Sequence, residues 1–156
     1  MGCDIHVYAE EKRGNRFVQV SLPSGFMDYR SYGVFGFLAN VRNYSAVTPI
    51  SEPRGFPEDA SRTVRETFDD WGGDAHTPSW LSLKELIDFD YDQPMEDRRE
   101  SRQIAPGLYS GAETAEPGQG KPMTYRQFLG KKFFDYLDKL KNSAHPPDRL
   151  VFWFDN

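Results

Sequence analysis

The N-terminal segment alternates between apolar and polar residues. Cys3, Ile5, Val7 and Ala9 fall on one face, and Asp4, His6, Tyr8 and Glu10 fall on the other. A period of two is typical of a strand with one face on a core and the other in water. A Gly-Asn turn follows, so residues 16–20 are predicted to pair with this strand as a hairpin. We therefore predict a half-buried first strand with a solvated polar face.

Helical spacing dominates the middle and the last third of the chain. Apolar residues at helical intervals predict helices over about residues 29–41, 59–68 and 125–140. Two capping-box patterns, Ser82 to Glu85 and Thr124 to Gln127, predict the start of a short helix and of the last long one. Residues 149–155 are rich in aromatic residues and are predicted to form a final strand.

Strands at both ends with helices between them predict an α+β fold. The expected sheet is small, mixed or antiparallel, and contains both terminal strands, with three to four helices packed on it. Residues 74–80 are predicted to form a loop. The stretch of about 92–123 has few large apolar residues, which predicts a long surface loop or insertion. A length of 156 residues fits a single domain over residues 1–156.

Composition narrows the classes of function. The formal net charge of −5 opposes binding to duplex nucleic acid, which needs a basic face. The single cysteine, Cys3, excludes an internal disulfide and fits a reducing compartment. No apolar run approaches the roughly 20 residues that span a bilayer. We therefore expect a cytoplasmic protein that does not enter the membrane.

The motif Asp4-Ile5-His6 is the first candidate site. Side chains two residues apart on a strand share a face, so this carboxylate and imidazole can converge on one point. Such a pair can bind a metal, or the carboxylate can orient the histidine for acid–base chemistry. A salt-bridged surface pair on a solvated sheet face has the same pattern, and is the commoner origin of an isolated Asp-x-His.

The second candidate is the segment from His76 to Trp80, which contains Thr77 and Ser79. Loops that present histidine, hydroxyl and aromatic side chains often carry binding or catalytic residues. Phosphoesterases that use two histidines carry a His-x-Ser/Thr pattern twice, whereas His6 is followed by Val and Tyr. The alternative is a loop histidine next to a serine that caps the following helix.

Arginine residues in or beside loops form a third group: Arg30, Arg42, Arg54 and Arg149. The guanidinium fork matches phosphate or carboxylate oxygens in bidentate fashion. Arg54 precedes Gly55 in a proline-bounded loop, where a ligand could approach the backbone. The competing interpretation is structural pairing with the 24 acidic residues of the chain.

A divalent metal ion is an open possibility for the cofactor. Asp4, His6, His76 and Asp155, with Asp59 as a further candidate, would offer the nitrogen and oxygen ligands that Zn²⁺ or Mn²⁺ accept. The sequence contains no closely spaced His or Cys pair to anchor such an ion. Metal binding and metal-free acid–base chemistry therefore both remain open.

The two ends of the chain, Met-Gly-Cys-Asp-Ile-His and Val-Phe-Trp-Phe-Asp-Asn, resemble those of a small family of phage and bacterial proteins. Three inner segments, residues 35–43, 53–57 and 76–80, fit the same family, so the resemblance covers nearly the whole chain apart from 92–123. It implies a phage or prophage origin and a host cytoplasm as location. Small accessory proteins of phages often counter host defences, and some bind or cleave nucleotide signals.

These residue types together suit a phosphate-bearing small molecule. In the first hypothesis the protein hydrolyses a nucleotide or phosphodiester, with His6 and His76 as acid and base beside Asp4. Arg42, Arg54 and Ser79 would bind the phosphate, and Trp80 or Tyr8 would stack on the base. A non-catalytic protein that sequesters such a signal is the alternative, and a protein–protein inhibitor is a third hypothesis. The sequence leaves self-association open.

Overall fold

The protein was analysed as a computed structural model, which describes residues 2–156. The chain divides into two compact units. The first contains the chain up to Arg30, Pro53–Phe89 and Lys132–Asn156, and the second contains Ser31–Glu52 and Asp90–Lys131. The single-domain organisation stays a prediction.

The described residues form eight strands and four helices, with a single 3-10 turn at Gly72–Asp74. The strands are β1 (Asp4–Arg13), β2 (Arg16–Val20), β3 (His76–Ser82), β4 (Pro94–Asp97), β5 (Arg99–Ala105), β6 (Leu108–Thr114), β7 (Lys121–Thr124) and β8 (Arg149–Asp155). The helices are α1 (Tyr32–Ala39), α2 (Arg62–Trp71), α3 (Leu83–Asp88) and α4 (Tyr125–Lys141). None of these helices, in the part of the chain described, is long and apolar enough to cross a membrane.

The first unit is built on a four-stranded antiparallel sheet in the order β2-β1-β8-β3. The terminal strands pair along their length, from Asp4 opposite Asp155 to Glu10 opposite Arg149. The predicted α+β fold, with both terminal strands in one sheet, is confirmed. The predicted β1–β2 hairpin and the final strand over residues 149–155 are also present.

Both faces of the first strand are covered, so the predicted half-buried strand is wrong. Ala9 on one face and Glu10 on the other are both fully buried. The face that carries His6, Tyr8 and Glu10 is covered by an apolar cluster. Its members are Val64, Val151 and Trp153, with Tyr8, Phe56, Phe68, Trp71, Ala75 and Trp80 packed against them. Helix α2 supplies three of these side chains, so what looks like a solvated face in the sequence lies under a helix.

An ion pair buried on this covered face joins β1 to β8. The side chains of Glu10 and Arg149 are 0% and 5% exposed. Arg149 Nε donates to Glu10 Oε1 at 2.8 Å, and Nη2 lies 2.7 Å from the same oxygen without hydrogen-bond geometry. Its Nη1 donates to Asp59 at 2.9 Å, and its guanidinium lies 3.5 Å from the centroid of the Phe17 ring. Arg149 Nε and Nη1 thus donate hydrogen bonds to carboxylates, and Nη2 lies within ion-pair distance of Glu10, so the buried charges compensate each other.

The same carboxylate fixes the start of α2. Glu10 Oε2 accepts a hydrogen bond from the backbone N–H of Ser61 at 2.6 Å, and Ser61 Oγ accepts one from Val64 at 3.3 Å. A negative charge at a helix N-terminus interacts favourably with the helix dipole. Because Ser61 is the N-cap, α2 begins three residues after the predicted start at about residue 59.

Side-chain capping also sets the other helices. The capping box of Ser82 and Glu85 at the start of α3 is present as predicted. Thr124 and Gln127 form the reciprocal pair at the start of α4, with distances of 3.1 and 3.0 Å. The helical conformation of α4 is interrupted at Gly130, where φ is 80°.

The second unit contains α1 and the four strands β4 to β7. Helix α1 begins after Ser31, which caps it, and not at residue 29 as predicted; it ends at Asn40 with φ 58°. Phe37 packs against the rings of Tyr91 and Tyr125 at centroid distances of 5.9 and 5.7 Å. These aromatic contacts form part of the interior of this unit.

The segment predicted as a long loop, residues 92–123, contains two two-stranded sheets. Strands β4 and β7 pair with each other, and so do β5 and β6. All seven residues of β5 are exposed. Because no apolar alternation is needed in a strand without a buried face, the sequence pattern carried no signal for these strands.

Replacing Arg149 with Met should lower the free energy of unfolding by about 3–5 kcal/mol, because it leaves the Glu10 carboxylate buried and uncompensated. Urea unfolding at neutral pH measures this loss. Arg13→Met is a matched control, since Arg13 pairs with Glu11 at the surface and its loss should cost less than about 1 kcal/mol. Equal losses in the two variants would contradict a stabilising role for the buried pair.

Candidate functional site

The end of the sheet brings His6 next to Asp155. Pairing of β1 with β8 places Asp4 opposite Asp155 and His6 opposite Trp153. His6 Nε2 lies 3.6 Å from Asp155 Oδ1, and the imidazole centroid lies 4.2 Å from that of Trp71. This nitrogen is buried and makes no hydrogen bond within residues 2–156. His6 is therefore held between a carboxylate and an indole.

Asp4 pairs with an arginine and not with His6. Arg30 Nε and Nη2 donate to the two carboxylate oxygens of Asp4 at 3.0 and 2.9 Å. These hydrogen bonds hold the pKa of Asp4 below its usual value, and the positive charge of Arg30 adds a smaller effect in the same direction. The expected hydrogen-bonded Asp4–His6 pair is thus replaced by two others, Asp4 with Arg30 and His6 with Asp155.

His76 lies on the opposite face of the sheet from His6. It is opposite Phe154 on β8, whereas His6 is opposite Trp153. Successive residues of a strand point to opposite faces, so the two imidazoles are separated by the sheet. His76 Nδ1 lies 3.0 Å from Thr77 Oγ1, and its Nε2 lies 3.2 Å from Asn156 Oδ1. The arrangement does not supply the acid–base pair of the two-histidine hypothesis.

The predicted loop at residues 74–80 is wrong for most of its length, because β3 begins at His76. β3 is an edge strand of the sheet, where proline is tolerated because one row of backbone groups has no partner. The pairing with β8 shifts between His76 and Ser79, and Thr77 has φ 50°. Pro78 and this bulge removed the alternation that predicts a strand.

The residues suggested as metal ligands do not form a cluster. Among the residues described, no group of three or more His, Cys, Asp or Glu side chains lies together in a way that could hold a metal ion. Asp4 and His76 have the partners given above, and Asp59 binds Arg149. The set therefore does not fit a divalent ion, and no metal-dependent step is inferred.

Arg54, Ser79 and Trp80 are joined in one structural contact. The Arg54 backbone N–H donates to Ser79 Oγ at 3.0 Å, and its Nη1 donates to the Trp80 carbonyl at 3.2 Å. Its guanidinium also forms a two-point ion pair with Glu85 and lies 4.6 Å from the centroid of the Trp80 ring. A phosphate at Arg54 would have to compete with the Glu85 carboxylate.

The remaining predicted ligand residues also have structural partners. Tyr8 stacks on Trp153 at 4.9 Å, and burial raises the pKa of its hydroxyl. Arg42 belongs to the second unit, where its Nη1 donates to the Tyr44 hydroxyl at 3.2 Å and its guanidinium lies 5.7 Å from the Tyr32 ring. These contacts place both residues in the interior architecture of their units.

The sequence analysis missed a cavity of about 350 Å³ between β2 and the start of α2. Its walls combine cationic, hydroxyl and apolar side chains from two segments: Arg16, Phe17, Val18 and Gln19 with Asp59, Ala60, Ser61, Arg62 and Thr63. The first backbone N–H groups of a helix have no acceptor within the helix. Those of Arg62 and Thr63 have no other hydrogen-bond acceptor in the described chain.

Two arginines, Arg16 and Arg62, and the first residues of α2 line this cavity. Asp59 also lines the cavity, but its carboxylate accepts a hydrogen bond from Arg149. Ser61 and the residues after it carry the signal of a helix start in the sequence. Nothing in the sequence places Arg16 beside them, because that depends on how α2 packs against the hairpin.

Comparison of the chain with protein-family models, with curated proteins and with solved structures found no match.

The Arg54–Glu85 pair predicts a pH-dependent stability. The Arg54 hydrogen bonds lower the pKa of Glu85 from 4.5 to about 2. A carboxyl whose pKa is lower in the folded state than in the unfolded state stabilises the folded protein at pH values above its unfolded pKa. This contribution is lost as the pH falls towards 2. Arg54→Gln should therefore destabilise the protein at pH 7 and progressively less between pH 4.5 and 2.

Because both side chains of that pair are partly exposed, the expected loss at pH 7 is about 1 kcal/mol or less. Urea unfolding of wild type and variant across this pH range measures it. Lys84→Gln, which removes the more exposed pair with Asp88, should give a smaller loss. A deficit for Arg54→Gln that does not change with pH would show that Glu85 ionisation is not coupled to folding.

Proposed function

We propose that this protein binds a phosphate-bearing small molecule of nucleotide type and sequesters it without cleaving it. The observation that carries the proposal is the cavity between β2 and the start of α2, which is lined by two arginines and by the first residues of a helix. Helix N-termini and guanidinium groups are both favourable partners for phosphate oxygens.

The charge of the cavity favours an anion. Arg16 and Arg62 contribute positive charge, while the Asp59 carboxylate shares the Arg149 guanidinium with Glu10. Arg62 has one surface partner, Glu66, and its side chain is 90% exposed, so it can turn towards a ligand at little cost. The cationic character therefore remains available in a chain whose net charge is negative.

The size and the apolar walls favour a nucleotide over inorganic phosphate. About 350 Å³ lies at the lower end of the range of about 300–1,000 Å³ for small-molecule pockets. Phe17, Val18 and Ala60 offer apolar surface for a sugar or base, beside the polar groups that would hold the phosphate.

Sequestration is favoured over hydrolysis because no histidine or cysteine is among the described residues that line the cavity, and the carboxylate that lines it, Asp59, accepts a hydrogen bond from Arg149. The resemblance to phage and bacterial proteins suggests a setting in which the ligand is a nucleotide signal of host defence. Binding of such a signal without turnover is sufficient to lower its free concentration.

Isothermal titration with a panel of cyclic and linear nucleotides, and with inorganic phosphate, tests the proposal. One nucleotide class should bind at one site per chain and be recovered intact after the protein is denatured. Arg16→Gln and Arg62→Gln should each weaken binding about tenfold or more, since charge-assisted hydrogen bonds to a ligand are lost. Arg13→Gln, an exposed arginine on the same hairpin that does not line the cavity, should leave affinity unchanged.

Binding that is equally strong in all three variants would place the ligand elsewhere. If no nucleotide in the panel binds, the nucleotide proposal is contradicted. Recovery of a cleaved product would contradict sequestration.

Hydrolysis is a second candidate, supported by the 3.6 Å separation of His6 Nε2 and Asp155 Oδ1. A carboxylate that orients a histidine is a recurring arrangement for a general base. If His6 has this role, His6→Gln should abolish product formation from the panel, and Asp155→Asn should reduce it by at least about tenfold. His76→Gln is the matched control on the opposite face and should retain activity; chromatography of the products measures all three.

A further inference from the structure

The hairpin of β5 and β6 is the most exposed part of the described chain. It turns at Pro106 and Gly107, and its largest apolar side chains lie near that turn. Ile104, Leu108 and Tyr109 are 59%, 55% and 61% exposed. Exposed apolar residues grouped at one end of an element often mark an interaction surface.

Only the base of this hairpin is anchored within its own unit. Thr114 Oγ1 donates to the carbonyl of Tyr44 at 2.6 Å, and the Arg99 guanidinium lies 5.5 Å from the ring centroids of Tyr32 and Tyr44. Beyond the base the two strands pair only with each other. A two-stranded hairpin without a packed face is marginally stable in water, and each outer edge presents unpaired backbone groups.

The charges on the hairpin are not compensated within it. Glu100 lies directly opposite Glu113, and like charges in that position are destabilising. Arg102 lies opposite Ser110, which offers no charge. None of these three charged residues forms an ion pair with any other residue between 2 and 156.

We propose that two copies of this chain associate by antiparallel pairing of their β5 strands, centred on Ser101. In this register Glu100 of each copy lies opposite Arg102 of the other, so two opposite-charge pairs form around a two-fold axis. The result is a four-stranded sheet in the order β6-β5-β5-β6, in which the inner edges satisfy each other's hydrogen bonds. Glu100 and Glu113 lie opposite each other within one hairpin, so Arg102 of the second copy lies beside both carboxylates.

Charge selects this register from its neighbours. Centring the axis on Arg102 would oppose two guanidinium groups, and centring it on Glu100 would oppose two carboxylates. A half-step shift is excluded, because it would place residues from opposite faces of the two strands directly opposite each other. Only the Ser101-centred register pairs both charges, and it places Ile104 against the base of the second hairpin, where part of the apolar tip is covered.

Sedimentation equilibrium of the full chain over a range of concentrations tests the proposal. Wild type should show a monomer–dimer equilibrium. Glu100→Arg and Arg102→Glu should each raise the dimer dissociation constant about tenfold or more, because each turns two attractive pairs into two repulsive ones. The double variant Glu100→Arg/Arg102→Glu restores both pairs in exchanged order and should recover association.

Glu116→Arg is the control, since it makes the same change of charge at an exposed position outside the hairpin. All variants should keep the wild-type circular dichroism spectrum, because Glu100, Arg102 and Glu116 are exposed. A chain that stays monomeric at every concentration would overturn the proposal, as would failure of the double variant to recover association. A monomeric chain whose hairpin binds a different protein would overturn it in favour of the inhibitor hypothesis.

Discussion

The buried contact between Glu10 and Arg149 joins three parts of the first unit. It links the two terminal strands at the end of their pairing, and through the Ser61 N–H it holds the start of α2 against the sheet. Phe17 of β2 stacks on the same guanidinium. Because two buried charges need each other and all their hydrogen-bond partners, this contact restricts where α2 can lie. The position of α2 in turn covers His6 and forms one wall of the cavity beside Arg16.

The alternation of β8 decides which chemistry the sheet can support. Trp153 and Phe154 are neighbours in sequence but face opposite sides, and each is opposite one of the two histidines expected to act together. The imidazoles are therefore divided between two environments, one against Asp155 and Trp71 and the other against Thr77 and Asn156. The cavity at the start of α2, which we propose as the phosphate site, has no histidine among the described residues that line it.

The two compact units differ in how they use exposed charge. In the first unit, the arginines expected to bind a ligand are held by carboxylates or aromatic rings, and the available cations are Arg16 and Arg62 at the cavity. In the second unit, uncompensated charge lies along a hairpin that has no buried face. Ligand binding is thus proposed for residues of the first unit and self-association for residues of the second.

The amino-acid sequence alone determined the strands at both ends, the α+β class and the capping of α3 and α4. Each of these rests on neighbouring residues or on a regular period, which a sequence displays directly. It did not reveal β3, where Pro78 and a bulge hide the period, or β5, which has no apolar face. The partners of the charged residues were decided by tertiary structure alone. Arg149 pairs with Glu10 across 139 positions, and Asp4 pairs with Arg30 instead of His6, because packing, and not sequence distance, determines which charges come together.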